Sequence, residues 1–185
     1  DHPHHKSLYT AFGDVNGLND WDEIAEDHGR IVHKAFSALE SGPVYGRIVA
    51  DNDWVTRQGS PVVRETRELV FYNTPAHGRV FDYTVTFHTD DEAVTFGDTK
   101  EGGILSVRVA SSMDVSRGLG GQITNAYGVI NEAETWGKRS PWCDYSGPVN
   151  GRHVGLAILD HPENLRYPTQ WHVRNYGLMT ANCFG

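Results

Sequence analysis

Three histidines stand in the first five positions, as His2-Pro3-His4-His5. The imidazole side chain is a common metal ligand and a common general acid–base group. Pro3 favours extended backbone at His2. In an extended chain His2 and His4 point to one face, at a spacing that lets them share an ion. Two chemistries are therefore open. His4 and His5 can transfer protons, or His2 and His4 can bind a divalent metal together with a further His or Glu. A third possibility carries no chemistry: a packed or solvated cluster near a chain terminus. No Glu follows His4 before Glu23, so a cupin-type metal motif is not completed. His-Glu-x-x-His, Gly-x-Ser-x-Gly, Gly-x-Gly-x-x-Gly and the phosphate-binding P-loop are all missing from the sequence.

Three further constellations could join the histidines. In Phe96-Gly-Asp-Thr-Lys-Glu-Gly-Gly103, Lys100 and Glu101 precede an apolar strand. If that strand extends back through Glu101, its carboxylate shares a face with Leu105, Val107 and Val109. Partial burial there would raise its pKa and suit it to proton transfer. A plain hairpin turn with solvated charges is the alternative. In Trp136-Gly-Lys-Arg-Ser-Pro-Trp142, two indoles flank Lys138 and Arg139. Flat aromatic faces stack on sugar rings, and cationic donors reach hydroxyls or carboxylates, although cation–π packing would use the same residues. In Trp171-His-Val-Arg-Asn-Tyr176, strand periodicity puts His172, Arg174 and Tyr176 on one face as an acid–base and anion-binding set. Asp14, in Gly13-Asp-Val-Asn-Gly17, either forms a turn or lines the site.

The elements that must hold these groups are strands. Phe81, Tyr83, Val85 and Phe87 alternate with Asp82, Thr84, Thr86 and His88, which predicts a half-buried antiparallel strand. Leu105, Val107 and Val109 alternate with Ser106 and Arg108. The apolar run 153–159 predicts a strand covered on both faces. Further strands are expected at 30–40, 44–56, 61–73, 92–97, 123–130 and 169–178, with one short helix at 18–28. Gly- and Pro-rich turns separate them. This pattern predicts an all-β antiparallel sandwich with little helix, in a single domain spanning 1–185.

Composition sets outer limits. The 185 residues carry 16 Lys and Arg against 24 Asp and Glu, a net charge of −8. A generic nucleic-acid binder is disfavoured by that charge. No apolar run approaches the roughly 18 residues of a membrane helix, so membrane insertion is not expected. Cys143 and Cys183 form one bridge or none.

Taken in order, His-Pro-His-His-Lys-Ser-Leu, Gly-Asp-Val-Asn-Gly, Gly-Asp-Thr-Lys-Glu-Gly-Gly, Trp-Gly-Lys-Arg and Trp-His-Val-Arg-Asn-Tyr-Gly-Leu-Met-Thr-Ala-Asn-Cys-Phe-Gly resemble the bacterial family labelled PmoA-like, or methane oxygenase PmoA. The resemblance implies that the chain is an internal piece of a longer member, with missing segments or partner chains completing the fold. It implies export to the periplasm or outside, a role in carbohydrate catabolism, and a sandwich similar to the galactose-mutarotase supersandwich. The oxygenase label itself conflicts with a chain that has no membrane-spanning helix.

The leading expectation is an enzyme acting on a sugar or glycoside by proton transfer, of epimerase, lyase or hydrolase type. His4, His5, Glu101 and His172 are its acid–base candidates. Asp14, Lys100, Trp136, Lys138, Arg139, Trp142, Trp171, Arg174 and Tyr176 are its substrate-binding candidates. The sequence specifies no particular cofactor and leaves room for a divalent metal. The rivals are a metal-dependent enzyme built on His2 and His4, and a non-catalytic carbohydrate-binding module.

Overall fold

A computed structural model describes residues 2–26, 28–76, 78–90 and 92–185. The chain is all-β and antiparallel. Its strands are β1 (Leu8–Phe12), β2 (Arg30–Ser41), β3 (Tyr45–Val55), β4 (Pro61–Tyr72), β5 (Phe81–His88), β6 (Gly102–Arg108), β7 (Gln122–Asn125), β8 (Trp142–Val149), β9 (Arg152–Leu159), β10 (Gln170–Arg174) and β11 (Leu178–Asn182). One short helix, α1 (Asn131–Thr135), and two single-turn 3₁₀ segments interrupt them. Chain contacts define two compact units. Unit 1 comprises residues 1–13 and 97–185, and unit 2 comprises residues 14–96.

Unit 1 contains a four-stranded sheet in the order β1-β6-β11-β10 and a three-stranded sheet in the order β7-β8-β9. Their inner faces share one core. Val107, Trp171, Val173 and Met179 come from the first sheet; Ile123, Cys143, Tyr145 and Ile158 come from the second. Alternation explains how each strand reaches that core: on β8, Cys143 and Tyr145 are buried while Trp142 and Asp144 are only partly covered. The Tyr145 hydroxyl donates to the Asn175 carbonyl at 3.1 Å, so the core pins the far end of β10. Trp171 Nε1 donates to the Ser140 carbonyl at 2.8 Å, which satisfies the polar edge of an otherwise buried indole.

Unit 2 is a four-stranded meander, β2-β3-β4-β5. On β5 the expected alternation is complete, with Phe81, Tyr83, Val85 and Phe87 half-buried and their neighbours exposed. Trp54, fully buried, meets the Phe87 ring edge-on at 5.6 Å. Glu65, 1% exposed, lies beside it and accepts from Trp54 Nε1 at 2.7 Å, Asn52 Nδ2 at 3.0 Å and Arg67 Nε at 2.6 Å.

Five sequence expectations need correction. The strand expected at 169–178 ends at Arg174, and Asn175, Tyr176 and Gly177 form the turn into β11, so Tyr176 does not continue the strand face of His172 and Arg174. Residues 18–28 form turns, not a helix, with Asp27 outside the described residues. Asn19 Oδ1 accepts from the Trp21 and Asp22 amides, each at 2.9 Å, and such local side-chain bonds compete with helix formation. Residues 92–97 contribute only an isolated bridge from Phe96 to Val15. The strand expected at 123–130 stops at Asn125. There Asn125 Oδ1 accepts from Tyr127 N, which closes a turn. The run 153–159 is an exposed strand on the edge of its sheet, not one covered on both faces; apolar content alone cannot tell the two apart.

Candidate functional site

Strand register builds the site. Residues directly opposite each other in an antiparallel pair share a face. Tyr9 pairs with Ser106, Ser106 with Thr180, and Thr180 with His172. One row of polar side chains therefore crosses all four strands, on the face opposite the unit 1 core. Ser106 and Thr180 are fully buried and His172 is 5% exposed. The next row carries Arg108, Leu178 and Arg174. Close strand approach here depends on Gly103, where a Cβ would stand 1.9 Å from Thr180 Cγ2.

The N-terminal histidines join this face. His5 N donates to the His2 carbonyl at 3.0 Å. This closes a turn with Pro3 at its second position, where the fixed proline φ is favourable. The extended geometry expected for His2 and His4 is thus replaced by a turn, and its consequence is a third member. The His2 and His5 rings stack at 4.7 Å, and His4 meets them edge-on at 5.7 and 4.4 Å. One ring nitrogen from each of the three lies within 4.8 Å of the other two. Tyr176 stacks on His2 at 4.8 Å, and the Arg108 guanidinium lies over the Tyr176 ring, 5.3 Å from its centroid.

A second set of contacts fixes Arg174. Its Nη1 donates to Glu132 Oε1 at 2.8 Å, and Glu132 Oε2 accepts from Asn175 N at 2.7 Å. Helix α1 thereby locks the β10–β11 turn that carries Tyr176. Gly177 in that turn has φ +100°, and a Cβ there would stand 2.7 Å from Asp114 Oδ1, so both space and backbone favour glycine. Arg174 Nε donates to His172 Nε2 at 3.2 Å, and its guanidinium lies 5.5 Å from the Trp136 ring centre.

Burial, with the fields of neighbouring groups, lowers the imidazoles of His2, His5 and His172. Burial, followed by the fields of His4, His2 and Arg108, brings His5 to about 3. Burial, followed by the field of Arg174, brings His172 to about 4, against the opposing field of Glu101. His2 is lowered as well, by burial and then by His4. Tyr176 is raised, chiefly by burial. At neutral pH, His5 and His172 are therefore weak bases but competent hydrogen-bonding groups or ligands.

The sequence candidates divide accordingly. His2, His4, His5, Glu101, His172, Arg174 and Tyr176 are linked through the contacts and fields above, with Lys100 paired to Glu101. Glu101 does not lie within β6, which starts at Gly102; its field nonetheless reaches His2, His172 and Tyr176. Trp136 is half-exposed beside Arg174. Trp171 is a correction: it is a core residue, 1% exposed, and presents no stacking face. Arg139 Nη1 donates to the Arg166 and Pro168 carbonyls at 2.7 and 2.8 Å, which braces a loop. Lys138 is exposed, and Trp142 is half-buried on the β8 face away from the core. Asp14 belongs to unit 2, where its Oδ1 accepts from Gly17 N at 2.9 Å as a turn-former.

Sequence reasoning missed Tyr9, Thr180, Arg108 and Glu132. Alternation placed Arg108 and Ser106 opposite the apolar face of β6, which was the available signal. Glu132 carried none, because its role depends on α1 packing beside β10.

The fold and site together define a class: an all-β protein with a buried polar sheet face under a histidine turn. The chain belongs to the family described as Family of unknown function (DUF6807), whose model matches residues 1–184. This match replaces the PmoA-like membership expected from the sequence blocks, since no PmoA-like family matched. No curated protein and no solved structure matches the chain. Among the described residues, no helix is long and apolar enough to cross a membrane.

Proposed function

We propose that the polar face of unit 1 is the active site of an enzyme that transfers protons on a sugar or glycoside, of epimerase, lyase or hydrolase type. The observation that carries this reading is the buried row Tyr9–Ser106–Thr180–His172 with Glu101 beside it. Burying polar groups costs stability unless their hydrogen bonds are made, and an apolar row would fill this face without that requirement. A hydroxyl-rich substrate would meet the exposed groups of unit 1 beside this row, where Lys100, Glu101 and Trp136 keep accessible donors, acceptors and a ring face.

On this reading Glu101 is the proton-transfer group. His172 stays neutral and orients substrate hydroxyls, with Arg174 fixing its ring. Arg108, Arg174 and Lys100 stabilise negative charge that develops on substrate oxygen or carbon. Trp136 offers a ring face for stacking.

The test is turnover on a broad panel of glycosides and free sugars, followed by cleavage and by deuterium exchange at carbon in heavy water. Glu101→Gln is expected to lower kcat by about 10²–10⁴-fold. His172→Gln is expected to lower kcat/KM with a smaller effect on kcat. Full turnover by Glu101→Gln would sink the assignment. Glycan binding without turnover by the wild type would favour a non-catalytic carbohydrate-binding module instead.

A further inference from the structure

We propose that His2, His4 and His5 form a site for one first-row transition-metal dication. The inference stands apart from the sugar-directed reading, because it concerns binding by the histidine turn itself.

Geometry is the first support. Nitrogen ligands about 2.1 Å from a shared ion lie roughly 3.0–3.4 Å from one another in adjacent coordination positions. The three histidine nitrogens already lie within 4.8 Å. Each ring must therefore move by at most about 1 Å, within reach of a χ rotation, to close on an ion. Local structure supplies the second support. The turn closed by His5 N and the His2 carbonyl, with Pro3 inside it, gathers three imidazoles from four consecutive residues. Little ordering entropy remains to be lost on binding. Aromatic walls hold the rings: Tyr176 stacks on His2 at 4.8 Å and Tyr9 on His5 at 6.3 Å.

Ligand chemistry narrows the ion. An all-imidazole set suits zinc, copper, nickel, cobalt or iron, and suits magnesium or calcium poorly. Neither thiol contributes to the cluster: Cys143 lies in the unit 1 core, and the histidine group contains no cysteine. Three protein ligands leave a coordination position for water or substrate, the arrangement of catalytic rather than structural sites. Electrostatics oppose and assist at once. The positive Arg108 acts on His2 and His5, while the negative Glu101 acts on His2. An anion or hydroxide on the open position would offset Arg108. The competing explanation is a metal-free aromatic cluster.

The experiment uses the full chain without any added polyhistidine sequence, stripped with chelator and then titrated with Co²⁺ and with Zn²⁺. Calorimetry is expected to give one ion per chain with Kd at or below about 10 μM. Co²⁺ should develop visible d–d bands of nitrogen coordination. His2→Ala should weaken binding at least about tenfold, and the His2→Ala/His4→Ala pair should abolish it. His153→Ala and His161→Ala should bind as the parent does. No saturable binding, or binding unchanged in the double variant, overturns the proposal. Should a variant fail to fold, amide NMR of the parent chain decides. Paramagnetic Co²⁺ broadening centred on residues 2–9 and 176 supports the site, and broadening centred on another histidine overturns it.

Discussion

In unit 2 the buried Glu65 carboxylate meets three donors, one of them the Arg67 guanidinium, and its charge is answered on the spot. In unit 1 the buried polar face gathers groups of like tendency instead. His2, His5 and His172 lie in the fields of Arg108 and Arg174, and burial with those fields lowers all three imidazoles. The first arrangement is what structure requires, because a buried charge without a partner costs several kcal/mol. The second does not optimise the folded state. Perturbed titratable groups of this kind cluster at functional sites, which is the physical reason for placing function in unit 1.

The strongest way to break the contrast is to open the closed network. Glu65→Ala leaves Arg67, Asn52 and the Trp54 indole N–H without their acceptor. Unit 2 should lose about 3–5 kcal/mol, read as accelerated hydrogen exchange across β3 and β4. A loss within about 0.5 kcal/mol would show that the network is not structural.

Acid separates the units next. The folded-state values of His5 and His172, about 3 and 4, lie below the ordinary 6.5 of the unfolded chain. The unfolded state therefore binds more protons as pH falls. The stability these groups confer is fully present above pH 6.5 and is lost as pH falls through about 4 and then 3. In urea unfolding, unit 1 should lose several kcal/mol of stability between pH 7 and pH 4. His172→Gln should remove part of that slope.

Unit 2 holds one group of the opposite sign. Burial raises Asp20 to about 7, and among the described residues neither of its carboxylate oxygens has a hydrogen-bond partner. A raised carboxylate destabilises when charged, so its contribution is most favourable below pH 3.8 and is lost as pH rises through 7. Asp20→Asn should stabilise unit 2 at pH 8 by about 1–2 kcal/mol and change little at pH 4. A thermal melt at the two pH values checks both halves of this expectation.

The smallest effect belongs to the rim. Trp136 is 42% exposed and holds mainly the Arg174 cation. Trp136→Ala should cost at most about 1 kcal/mol of stability. Weakened sugar binding in that variant would mark Trp136 as a binding surface, and unchanged binding would leave the cation–π pair as its sole role.

The sequence by itself determined the all-β class, because period-two alternation and glycine-rich turns are local signals. It placed β5 and β6 correctly, and put His172 and Arg174 on one face. It could not decide the helix expected at 18–28, where Asn19 captures backbone amides, or the exposure of β9, where apolar content is the same at an edge as in a centre. It also assigned Trp171 to a ligand face, because periodicity separates two faces without saying which one meets the core. Only tertiary structure joined Tyr9 to His172 across β6 and β11. Alternation fixes which residues of one strand point together. Which strands become neighbours depends on non-local pairing and on the burial of whole faces, and that pairing brought the histidine turn to the polar row.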